Sequence, residues 1–229
     1  MRQILKNILT LEWVAPATIF IVSRIFVFCI VWIIATYGFG QHAEFNQWDS
    51  ESYVSLATSG YQFFGEYKGQ GSYIAFYPLF PILMSGVMSV LSIDVVQAGL
   101  IISFVFGAGS AILLYYLVSR WRNRDAGLLA VLLFSFYPHG VFLTAPYTES
   151  LFMFLVLSFV LLIQTKKNVA AGAIVACAMV TKMTGGVLGL VYVYDMYRQG
   201  VHKAKIILYG MLAVLPLFLF LLFQKLKFG

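Results

Sequence analysis

Long apolar runs punctuated by short charged clusters dominate the chain. The first run covers about Trp13 to Tyr37, enough for one membrane crossing, since a hydrocarbon layer about 30 Å thick takes roughly 20 apolar residues of helix. Further runs cover 95–119, 126–145, 149–165 and about 206–223, each predicted to span. The segment 169–197 is apolar but broken by Thr181-Lys182-Met183-Thr184-Gly185-Gly186, which predicts two short helices with Lys182 at the turn. Residues 38–75 are polar and rich in glycine, tyrosine and acids. Within them Asp49–Ser59 reads as a short helix with Tyr53, Leu56 and Ala57 on one face and Gly60 at its end. The apolar stretch Phe76–Ile93 opens with Pro78 and Pro81 and reads as a helix lying in or dipping into the membrane interface.

Composition strengthens this reading: of 229 residues, 61% are hydrophobic and 10% charged, against about 45–50% and 25% in a soluble domain. The pattern predicts an all-α, polytopic membrane helix bundle forming a single transmembrane domain over 1–229, with an external loop of about 38–94 that contains juxtamembrane helices. The first run is too long for a signal-peptide core and is read as a retained helix.

The net charge of +6 does not mark a nucleic-acid binder, because the basic residues sit in clusters between apolar runs. Arg2/Lys6, Arg120–Arg124, Lys166/Lys167 and Arg198–Lys205 are expected on the cytoplasmic side. Glu44, Asp49, Glu51 and Glu66 against a single Lys68 place the 38–75 loop outside. That topology brings Asp49, Glu149 and Lys182, from three distant parts of the chain, to one external membrane–water interface.

Each of these residues has a structural and a chemical reading. Asp49 can cap its helix or remove a proton from an acceptor hydroxyl. Glu149 can complement the dipole of the helix it opens, or bind a sugar hydroxyl, an acceptor or a metal. Lys182 can snorkel, or stabilise charge on a leaving lipid phosphate. His139, in the outer half of its run, reads mainly as a hydrogen-bonding residue. Arg24, mid-span, costs roughly 2.5–3.5 kcal/mol on insertion and must face protein or snorkel. Tyr115, Tyr116, Trp121, Tyr192, Tyr194 and Tyr197 read as interfacial aromatics, and Cys29 and Cys177 as buried thiols. No phosphate-binding Gly-Lys loop, HExxH or zinc spacing occurs; no cofactor is required by the sequence, although two carboxylates can hold a divalent cation.

Four blocks carry a family resemblance. Trp48-Asp49-x-x-x-Tyr53 with Ala57-x-x-Gly60-Tyr61 resembles the first outer loop of the PIG-V group of mannosyltransferases, within the GT-C class of membrane glycosyltransferases. Ala75-Phe76-Tyr77-Pro78-Leu79-Phe80-Pro81 and Thr144-Ala145-Pro146-Tyr147-Thr148-Glu149-Ser150-Leu151-Phe152 resemble its next elements, and Thr181-Lys182-x-x-Gly185 looks like its Thr-Arg-x-x-Gly with lysine for arginine. The exchange keeps the charge but loses the bidentate fork. The resemblance implies a GT-C-like fold and inverting transfer of mannose from a polyprenyl- or dolichyl-phosphate-mannose donor to a hydroxyl acceptor on the external or lumenal face. It makes Asp49 the catalytic acid/base, Glu149 the second acid and Lys182 a ligand of the donor phosphate, with Trp48, Tyr53, Tyr147 and His139 as candidate substrate-binding residues. Implied partners are the lipid-linked sugar donor, membrane lipid and an unidentified acceptor. Members of the group are longer, and the resemblance covers about the first half of one, which leaves room for a partner subunit. The alternative is a non-catalytic membrane subunit or lipid-phosphate-binding module. A transporter would show paired broken repeats, and only one broken segment is present. With no Asn-x-Ser/Thr site, a bacterial-type plasma membrane is favoured over an endoplasmic reticulum.

Overall fold

A computed structural model describes residues 12–37, 45–62 and 75–228. Arg2, Lys6, Glu44, Glu66 and Lys68 lie outside them, so their expected sides of the membrane concern residues not described. Among the described residues the chain is helical throughout: α1 (Val14–Tyr37), α2 (Asp49–Ser59), α3 (Leu79–Leu91), α4 (Val95–Trp121), α5 (Arg124–Ser135), a 3-10 turn (Pro138–Leu143), α6 (Glu149–Gln164), α7 (Asn168–Met179), α8 (Gly185–Arg198) and α9 (Lys203–Phe228). Helices are what an apolar solvent demands, because each N–H and C=O finds its partner within the element. Three of them, α1, α4 and α9, are long and apolar enough to cross a membrane. The protein is a GT-C-like helical membrane protein.

Local signals set most boundaries. Asp94 and Gln97 form a reciprocal cap at the start of α4, and the Asn123 side chain accepts from Ala126 N–H to open α5. Gly60, at φ 69°, closes α2 as expected, a backbone conformation that favours glycine. The broken segment forms α7 and α8 on either side of Lys182.

The 126–145 run departs from the expected single span. Helix α5 stops at Ser135, and the chain continues through the 3-10 turn of Pro138–Leu143. Pro138 has no N–H to give the carbonyl four residues back, and its ring clashes there, so the helix cannot continue. The expected span at 149–165 forms α6, whose 16 residues rise about 24 Å, less than a full hydrocarbon thickness.

Packing brings α4 against α5, α6, α1 and α3, while α7 is flanked by α6, α8 and α9. One core cluster joins Tyr53 and Ala57 of α2 to Phe80 and Met84 of α3, Ile102 of α4, Leu151 and Leu155 of α6, and Ala178 of α7. A second gathers Phe159, Val175, Tyr192 and Met196 with Ala213 of α9. Tyr192 and Tyr115 are therefore core residues rather than interfacial ones. Cys29 is exposed on α1, contrary to the expected burial, and Cys177 is half-buried. Hydropathy cannot separate these cases, because apolar side chains suit both a protein core and lipid.

Arg24 faces protein and does not snorkel. It is 1% exposed, and its guanidinium donates to Ser135 O, Gly140 O and Thr144 Oγ1 across the bundle. At the end of the bundle away from Lys182, Arg124 pairs with Glu12 at 2.7 Å and Asn168 Nδ2 donates to Gln199 Oε1 at 3.2 Å.

Candidate active site

The four sequence blocks meet at one end of the bundle, and simple local bonds explain how. The C-terminal carbonyls of α7 and the first N–H groups of α3 lack intrahelical partners. They satisfy each other where Leu79 N–H donates to Val180 O at 3.0 Å, which ties the second block to the fourth. Thr181 Oγ1 donates to Cys177 O at 2.7 Å, and Gly185 N–H to Lys182 O at 2.8 Å, closing the turn that presents Lys182. Gly185 is sterically required: a Cβ there would lie 2.2 Å from Ala178 O, whereas one on Gly186 would meet nothing within 4 Å.

The first block is fastened on both sides. Tyr53 packs edge-to-face on Phe76 and Phe80, with ring centroids 5.1 and 5.4 Å away. Tyr61 donates to Phe76 O at 2.5 Å and lies against Phe220 and Phe223 of α9, and Lys227 donates to its carbonyl.

Between these supports, Lys182 Nζ donates to Glu149 Oε1 at 2.7 Å, the side chains being 40% and 34% exposed. The other carboxylate oxygen, Glu149 Oε2, is buried with no hydrogen-bond partner among the described residues. A buried carboxylate oxygen without a donor is costly. Nζ carries three donors and spends one on Glu149, so it keeps others for a phosphate.

Asp49 does not act as the expected N-cap. It is the first residue of α2, Trp48 stands at the cap position, and no side chain caps the helix. The exposed Asp49 carboxylate makes no hydrogen bond or ion pair with a described residue. Tyr147 does the organising: its hydroxyl donates to Gln47 O at 2.8 Å, and the N–H groups of Asp49 and Ser50 face its oxygen. One residue of the third block thus sets the start of the helix that carries Asp49.

Both acids are near enough to act on the two tyrosines. Burial raises the Tyr53 hydroxyl to about 12, opposed by a hydrogen bond from Thr148 and reinforced by Glu149 and Asp49. Tyr147 is raised, first by burial and then by Asp49. Both hydroxyls stay protonated at neutral pH and can donate.

Trp48 is 73% exposed and sits at φ 52°, a left-handed conformation that costs a non-glycine residue energy and concentrates at functional sites. Its ring lies 6.3 Å from that of Phe142, which also meets Tyr147 at 5.0 Å. The exposed His139 stacks between Tyr137 and Phe142 and touches neither acid nor Lys182. Of the seven candidates, Glu149 and Lys182 meet directly, Asp49 and Glu149 both act electrostatically on Tyr53 and Tyr147, and Trp48 and His139 belong to an aromatic row alongside. Thr148, 2% exposed, is not singled out by sequence although it stands between two residues that are. No cluster of three or more metal-ligating His, Cys, Asp or Glu side chains occurs among the described residues.

An apolar helical membrane bundle that presents an acid–lysine pair and a second acid at one end has the form of a GT-C membrane glycosyltransferase. Residues 77–223 match the family described as Dolichyl-phosphate-mannose-protein mannosyltransferase, and the chain belongs to that family. It is also similar to proteins named GPI mannosyltransferase 2 from two strains of Cryptococcus neoformans var. neoformans serotype D, JEC21 and B-3501A. Each is 27% identical over 192 residues, covering 76% of this chain and 45% of the relative. The chain thus spans less than half the length of these relatives. Both come from a fungus, so the similarity lends nothing to the bacterial-type membrane favoured above. No solved structure gives a significant match.

Proposed function

We propose that this chain carries the mannosyl-transfer site of a membrane enzyme that uses polyprenyl- or dolichyl-phosphate-mannose on the external or lumenal face. The observation behind this reading is the convergence of Asp49, Glu149 and Lys182, from α2, α6 and the α7–α8 turn, at one end of the bundle. Asp49, exposed and without a partner among the described residues, takes the proton of the acceptor hydroxyl. The hydroxyl oxygen bonds to C1 of mannose as the C1–O bond to the lipid phosphate breaks, inverting the anomeric centre. The departing phosphate gains negative charge beside Lys182, where a positioned cation lowers the barrier. Glu149 fixes the lysine through Oε1.

Transfer of labelled mannose from polyprenyl-phosphate-mannose, in membranes containing this chain, tests the reading against an Asp49→Asn variant. Transfer that is lost in the variant supports it. Donor binding without transfer in the parent chain would favour the second reading, a lipid-phosphate-binding membrane subunit, for which the Glu149–Lys182 pair suffices.

A further inference from the structure

We infer that Arg24 is a positioning residue of this site: from the middle of α1 it holds the unwound 135–144 backbone in the shape that brings Tyr147 and Glu149 to Asp49 and Lys182. The kinetic part of this inference rests on the mannosyl-transfer reading; the geometric part does not.

Arg24 is buried, and among the described residues no carboxylate pairs with it. Its charge is met by oxygen dipoles. Nη2 donates to Ser135 O, Nη1 to Gly140 O and to Thr144 Oγ1 at 2.8 Å, and Nε to Ser23 Oγ at 3.1 Å. Its planar face lies 4.8 Å from the centroid of Phe20.

Of these acceptors, Ser135 O is one that the break at Pro138 leaves open, and Gly140 O sits within the 3-10 turn that follows. In a continuing helix Ser135 O would receive the N–H of His139 and Gly140 O that of Thr144. Thr144 N–H instead donates to Val141 O at 2.9 Å, in the tighter 3-10 manner. At membrane depth no water replaces the missing donors, so the guanidinium fork supplies them. A lysine cannot reproduce this, because three acceptors in fixed directions match a planar fork rather than a point charge.

The consequence reaches the site over a short lever. Thr144, held by Arg24, precedes Tyr147 by three residues, and Tyr147 sets the start of the Asp49 helix while Glu149 opens α6. From the opposite side Ser103 Oγ donates to Ala145 O at 2.8 Å, so α1 and α4 grip the segment between them. This accounts for an arginine in the centre of a span: the backbone that leads to the site leaves the α-helix after Ser135 and runs through a 3-10 turn, and Arg24 holds it in place.

The test uses the 229-residue chain in membranes, with Cys29 and Cys177 replaced by alanine and cysteines introduced in pairs. Positions 48 and 142 report the shape of the site segment, and positions 106 and 154, where α4 and α6 pack with ring centroids 5.2 Å apart, report the bundle. With a short bifunctional maleimide, Arg24→Met is expected to lower the 48–142 yield several-fold and leave 106–154 unchanged, with Arg24→Lys intermediate. In the transfer assay with an otherwise unmodified chain, Arg24→Met is expected to lower kcat about 100-fold, as small misplacements of reacting groups do, and Arg24→Lys to recover part of it. An unchanged 48–142 yield in Arg24→Met overturns the inference. If Arg24→Met loses both cross-links, Arg24→Lys decides: a selective fall at 48–142 supports positioning, and no fall overturns it. Absence of transfer in the parent chain would count against the mannosyl-transfer reading alone, since the cross-links need no substrate.

Discussion

The Glu149–Lys182 pair allows stability and function to be separated. The charged atoms lie 2.7 Å apart with side chains 34% and 40% exposed. The gross attraction between unit charges about 3 Å apart is roughly 1–6 kcal/mol for effective dielectrics of about 80 to 20. Solvent screening and the entropy of holding a lysine bring exposed pairs down to about 0.2–1 kcal/mol. Because Glu149 Oε2 is buried, the upper end applies, near 1 kcal/mol. A double-mutant cycle of Glu149→Gln, Lys182→Met and the double variant, read by unfolding in detergent, is expected to return a coupling of about 1 kcal/mol. Transfer should respond on a different scale. Loss of a positioned charge beside a leaving group costs about 100- to 1,000-fold in kcat, so Lys182→Met should be nearly inactive while folded. Exchanging the two residues should restore most of the coupling and none of the transfer. A coupling of zero, or an active exchange variant, refutes the reasoning.

Three further outcomes follow from particular contacts. Gly185→Ala places a Cβ 2.2 Å from Ala178 O and should destabilise the chain by about 1–3 kcal/mol, while Gly186→Ala, with open space around it in the first turn of α8, should hold stability or raise it by up to about 1 kcal/mol. Tyr147→Phe removes the donor to Gln47 O, for a loss of about 1 kcal/mol, and should raise the rate at which a cysteine at position 48 is labelled. Tyr53 keeps its proton to about 12 while its ordinary value is 10.0, so between those pH values the unfolded chain loses a proton that the folded chain retains. Stability therefore falls as pH rises through that window, by up to about 2.7 kcal/mol, and alkaline unfolding curves of Tyr53→Phe should be correspondingly flatter.

Polar punctuation within apolar sequence made some elements readable. Residues 181–186 interrupt a run with lysine, threonine and paired glycines, and α7 and α8 part there; Asp49 and Gly60 bracket α2 for similar reasons. The meeting of Glu149 and Lys182 was legible because charged residues place loops on sides of a membrane, and distant loops on one side can meet. The end of α5 was not legible as a break, because Phe136, Val141 and Phe142 keep the run apolar past Pro138 and the donors that make the break tolerable come from Arg24, more than a hundred residues earlier. Asp49 fits a helix N-cap by residue type, and only the tertiary contact of Tyr147 shows why the helix starts without one. Burial of Tyr192 and exposure of Cys29 were equally hidden, since neither protein nor lipid leaves a distinct hydropathy signature.

The proposed chemistry requires Asp49, Glu149 and Lys182 to share one aqueous face, opposite the Arg120–Arg124 cluster. Single cysteines at positions 49 and 122, in the chain with Cys29 and Cys177 replaced, can be challenged in sealed, oriented vesicles with a membrane-impermeant maleimide. Position 49 labelled only from the external or lumenal side, and position 122 only from the cytoplasmic side, is the predicted result. Labelling of both from the same side would contradict the topology, and with it the site on which the mannosyl-transfer reading stands.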